Sequence, residues 1–91
     1  MDDQELIKLA QETLNHRRLP GGDAGDVASA LVTASGNVYC GVCIDVSSGI
    51  GFCAEHAAVA AMITAGESEI DTIVAVWQLQ GTLKSTARKQ P

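Results

Sequence analysis

A thiol, a carboxylate and an imidazole fall within one tetrapeptide, Cys53-Ala54-Glu55-His56. It follows a glycine-containing stretch and opens an alanine-rich segment, so Cys53 should stand at a helix N-terminus. There the helix dipole and the free N–H groups stabilise a thiolate, which is a good zinc ligand. Glu55 lies two residues on, about 200° round the helix. It can reach the same cavity from the first turn without being a ligand. One group to hold a metal and another to move a proton is what a metal-activated water needs. The plainer reading is that Glu55 only favours the helix start and Cys53 only packs; from Cys-x-Glu alone this plainer reading is preferred.

Cys40-Gly41-Val42-Cys43 is a second candidate, a Cys-x-x-Cys of the kind that holds zinc or forms a redox pair. On a strand, positions three apart point to opposite faces, so the two thiols should not meet. Cys40 is then expected to pack in the core. Arg17 and Arg18 read as charges closing a helix rather than as ligand contacts.

These residues need elements to position them. Leu6, Ile7, Leu9, Ala10 and Leu14 form one apolar stripe, with acids gathered before it, which predicts a helix over 3–15. Residues 15–18 close it and 20–23 form a loop. Strands are predicted over 27–33 and 37–46, joined by the hairpin residues Ala34-Ser35-Gly36-Asn37. Period 2 puts Val38, Cys40, Val42 and Ile44 on one face of the second strand, and Tyr39, Gly41, Cys43 and Asp45 on the other. A flexible loop follows over 47–51.

Residues 53–65 form a helix that is apolar on nearly every side, hence buried against a sheet, and Gly66 stops it. The β-branched run over 71–77 is an interior strand. Strand, helix and strand make a right-handed βαβ unit with parallel strands. Residues 80–82 turn, and 84–91 are expected to be disordered. The fold class is therefore α/β with about three strands and two helices: one domain over 1–80 and a basic tail over 81–91. The apolar 71–77 strand is left at an edge with no outer neighbour, which conflicts with its composition.

Composition bounds the function. The chain has 91 residues, 46% of them apolar, enough for one domain with a modest, mainly aliphatic core. Net charge is −5: residues 1–80 carry −8 and residues 81–91 carry +3. An acidic body argues against non-specific binding of duplex DNA or of an anionic membrane, so no nucleic-acid or membrane partner is expected. The uncharged run 27–44 reaches membrane length, but Ser35-Gly36-Asn37 breaks it into two strands. The acidic N-terminus is the reverse of a secretory signal, and three cysteines are not a disulfide framework. A cytoplasmic protein is expected.

The segment Gly36-Asn37-Val38-Tyr39-Cys40-Gly41-Val42-Cys43-Ile44-Asp45, a loop, and then Cys53-Ala54-Glu55-His56-Ala57-Ala58-Val59-Ala60 resembles the cytidine deaminase family. That family includes the free-nucleoside cytidine deaminases and blasticidin S deaminase. The likeness covers roughly residues 5–78, with the elements in the same order. It implies an α/β/α layered fold and zinc-dependent hydrolytic deamination of a cytosine nucleoside. Cys53 matches a zinc ligand and Glu55 the general acid/base. Ala54 matches the residue whose backbone lies near the pyrimidine. Cys43 stands where the family has a ribose-binding Asn, and Asp45 where it has a Glu. Gly25 falls near a family Phe, and His56 replaces a frequent arginine.

The family's second motif, Pro-Cys-x-x-Cys, supplies two further zinc ligands; this sequence has no cysteine after Cys53. The chain as given is therefore expected to be incomplete and inactive. The alternative is a non-catalytic oligomeric remnant or binding module. A third reading builds a substitute metal site from Cys43, Cys53 and His56. Family members pack as dimers or tetramers through the helix that starts at Cys-Ala-Glu, which implies a homo-oligomer here.

Overall fold

Asp2 starts the first element. Its carboxylate accepts the Glu5 amide at 2.8 Å, and the Glu5 carboxylate accepts the Asp2 amide at 3.1 Å. This reciprocal capping satisfies two amides that the helix itself leaves free. In the computed structural model, which describes residues 1–46, 51–79 and 82–89, helix α1 spans Asp3–Thr13. Strands β1 (Arg17–Leu19), β2 (Gly22–Thr33) and β3 (Val38–Val46) follow. Helix α2 (Ala54–Thr64) leads to β4 (Ile70–Leu79) and β5 (Thr82–Lys89).

All strand pairs are antiparallel, and β2 is the hub. Its one edge pairs with β3 along nearly its whole length. Its other edge pairs first with β1, through Gly22–Ala24, and then with β4 from Val27 onward. β5 lies outside β4 in an unbroken ladder from Thr72↔Lys89 to Leu79↔Thr82.

The two helices cover opposite faces of this sheet. Leu6 and Ala10 of α1 pack on Ala28, Ala30, Val32, Val74 and Val76. Ala58 and Met62 of α2 pack on Leu31 and Ile73, the opposite parity of the same strands. The result is a small helix–sheet–helix α/β domain. The central strand presents Ala28 and Ala30 to α1 and the larger Leu31 to α2. The buried Ser29 hydroxyl donates to the Val74 carbonyl at 2.6 Å, so its burial costs little.

Five strands replace the three expected. Residues 17–19 pair as β1 instead of closing a helix, and β2 starts at Gly22 rather than at 27. The cause is a hairpin through Pro20-Gly21, with Gly21 at φ 84°. Arg17-Arg18-Leu19 has no apolar alternation, so only its pairing makes it a strand.

Residues 82–89 form β5 and are not a disordered tail, so the boundary expected at 80/81 cuts through one sheet. β5 also gives β4 the outer neighbour that its composition demanded. β3 and β4 both run antiparallel to β2, hence parallel to each other, yet β2 lies between them; the expected parallel strands are not adjacent.

The hairpin at 34–37 and the helix after Cys53 form where expected, and Gly66 at φ 95° follows the helix end. α2 is not buried all round. Ala54, Ala58 and Met62 face the sheet, while Ile63 is 55% exposed. Cys40 is exposed rather than packed, because α1 lies over β2 and β4 and leaves the edge strand β3 partly uncovered. The expected loop 47–51 is outside the described residues except for Gly51, as are residues 80 and 81 of the expected turn.

Candidate functional site at the start of helix α2

The Cys-Ala-Glu segment is placed by what comes just before it. Phe52 exchanges two backbone hydrogen bonds with Ile44, each 2.9 Å, which ties the returning chain to the end of β3. Gly51 lies so close that a Cβ there would sit 2.8 Å from the Ile44 carbonyl oxygen. Cys53 is then extended (φ −78°, ψ 161°) and caps α2, its Sγ accepting the His56 amide at 3.4 Å. A cap side chain normally carries oxygen; here a thiol does that work at the longer distance sulfur requires.

Ala54 points into the molecule and is fully buried, and Glu55 stands half-buried in the first turn. The Phe52 and His56 rings stack, with centroids 5.7 Å apart and planes inclined at 27°. Cys53, Glu55 and His56 border one end of a shallow groove of about 540 Å³ that continues along α2 past Val59, Ile63 and Thr64.

α2 seats on β3 at Gly41. A Cβ there would lie 2.6 Å from the Ala57 Cβ and from the Ala58 amide nitrogen. Cys43, two residues on, has the same parity as Gly41 and is half-buried. Its Sγ accepts the Val27 amide at 3.4 Å, where β2 bulges between Ala24 and Ala28. The thiol thus serves a backbone donor that the bulge removes from the ladder. Asp45 is exposed and lies opposite Asp23 in the register. Like charges so placed repel; Asp23 also lies 3.5 Å from the Arg18 guanidinium and 3.4 Å from the His16 ring.

Cys53, Ala54 and Glu55 therefore share one helix start, and Cys43 and Asp45 stand on β3. Among the described residues, no group of three His, Cys, Asp or Glu side chains is gathered so that it could hold a metal ion. Cys43, Cys53 and His56 are thus not drawn into the substitute site. Cys43 serves Val27, and the His56 ring lies against Phe52. Cys40 and Cys43 are both free thiols. A catalytic zinc centre takes three protein ligands, more than are gathered in one place among the described residues.

Sequence reasoning passed over a polar cluster at the other end of α2. Glu67 accepts the Asn37 side-chain amide and the Tyr39 hydroxyl, each at 2.9 Å. The Asn37 amide contributes most, then the Thr33, Tyr39 and Ser35 hydroxyls, and together they hold the Glu67 carboxyl below its ordinary value against the opposing effect of desolvation. The hydrogen bond to the Glu67 carboxylate pushes the Tyr39 phenol up. The cluster locks the β2–β3 hairpin to the α2–β4 connection. Its partners stand about thirty residues apart in sequence, so no local pattern announces them.

A scan against protein-family models finds no match for this sequence, and no curated protein matches it. No helix among the described residues is long and apolar enough to cross a membrane.

Proposed function

We propose that the chain is a cytidine-deaminase-like domain that holds the first part of a zinc-dependent hydrolase site for a cytosine nucleoside and is inactive on its own residues. The observation that carries this reading is the helix start: Cys53 capping α2, Glu55 in its first turn and Ala54 buried between them. The helix–sheet–helix layering supports it as well, because the resemblance implies that arrangement. In the proposal Cys53 is the metal-facing thiol and Glu55 the proton carrier. Ala54, Cys43 and Asp45 line the nucleoside side. Cys43 cannot reproduce the paired hydrogen bonds of an amide, so ordinary cytidine is a poor fit. Zinc is the cofactor of the family, and the cytoplasm the expected compartment.

A second reading, a non-catalytic homo-oligomer, is favoured by a separate observation. The outer face of α2 presents Val59, Ala60 and Ile63 along an open groove. The open β4 edge that would also have favoured association does not exist, since β5 covers it.

An ultraviolet deamination assay tests the first reading. Cytidine, deoxycytidine and blasticidin S should all remain unchanged, because Glu55 without a Lewis acid activates no water. Turnover that disappears in Glu55→Gln would show that the site is complete and the proposal wrong.

A further inference from the structure

Strand β5 occupies an outer edge of the sheet. It pairs with β4 along all of its length, and among the described residues nothing pairs with its other side. Leu83, Ser85, Thr86, Ala87 and Arg88 are all exposed. Such an edge offers a row of free N–H and C=O groups, which is the template for adding a strand. The strand also carries Lys84, Arg88 and Lys89 and no acid, in a molecule whose residues 1–80 carry −8.

Those charges select the occupant. A second copy paired through β5 would set basic residues against basic residues, which destabilises a ladder. An acidic extended segment meets the opposite charge here and repulsion over the rest of the chain. We propose that the β5 edge is a docking site for an extended acidic peptide segment of a partner protein, added as a further strand. Backbone hydrogen bonds hold the segment, and the basic residues set its charge preference. This inference is independent of the deaminase reading, since it uses no residue of the α2 site.

The test uses the full 91-residue chain and a fluorescent octapeptide alternating glutamate and valine. Three other probes run in parallel: the same peptide with lysine for glutamate, an acidic peptide N-methylated at alternate residues, and a short oligothymidylate. Anisotropy should show binding of the acidic peptide that weakens as salt is added. It should weaken at least about tenfold in Lys84→Glu/Arg88→Glu/Lys89→Glu. The N-methylated and lysine probes should not bind. If the triple variant loses its fold, the N-methylated probe on the unaltered chain still decides. No binding of the acidic peptide, equal binding of the lysine or N-methylated peptide, or tighter binding of the oligonucleotide overturns the proposal.

Discussion

Gly41 sets how closely α2 approaches β3. A methyl group there would meet Ala57 and the Ala58 amide at 2.6 Å, and both belong to a packed helix rather than to a flexible side chain. Gly41→Ala should therefore lower the unfolding free energy by about 1–3 kcal/mol. A urea melt unchanged from the parent would contradict that seating. Glu67 makes a pH prediction. Its carboxyl is held below the ordinary value in the folded state, chiefly by the Asn37 amide. Its contribution is then fully present above the ordinary unfolded carboxyl value and is lost as pH falls through the lowered folded value. Glu67→Gln should flatten that part of the acid limb of a stability-versus-pH curve; an unchanged limb would show that the cluster contributes nothing. Cys53 and Glu55 stood out in the sequence only through their place at an expected helix start, and the helix does start there; their proposed roles come from the resemblance. The Glu67 cluster and the Phe52–His56 stack did not stand out, because their meaning depends on which strands and turns the fold brings together.

At the scale of elements, the two helices and the β2–β3 hairpin were legible for different physical reasons. α1 has an apolar stripe and a cap, and Asp2→Ala should cost about 1 kcal/mol in a thermal or urea melt. The hairpin has Ser35-Gly36-Asn37 between two apolar runs, and Gly36 takes the positive φ such turns require. β1 and β5 were not legible. Arg17-Arg18-Leu19 and the polar run over 82–89 have no inward-facing alternation, and each becomes a strand only through its neighbour's hydrogen bonds. The all-round apolarity of α2 was legible, but it implied complete burial. In this fold one side meets the sheet and the other is open, with Ile63 55% exposed. Sedimentation equilibrium at micromolar concentration should report at least two chains, and Ile63→Glu should shift the mass toward one. A monomer at all concentrations would remove the oligomeric reading.

For the whole molecule, we propose a division of labour around one helix start, with Cys53 as the metal-facing thiol and Glu55 as the proton carrier; two other candidate donors have partners of their own. Cys43 bonds Val27 and His56 stacks on Phe52. A single cysteine ligand should hold zinc weakly, since a catalytic centre needs three protein ligands. The most direct measurement is the zinc content of protein purified without chelator, followed by a zinc titration of the parent chain, Cys53→Ser and Cys43→Ser. Well under one zinc per chain should remain after desalting, with weak binding in the titration that Cys53→Ser abolishes and Cys43→Ser leaves unchanged. A stoichiometric, tightly held zinc, or binding indifferent to Cys53→Ser, would contradict the proposal.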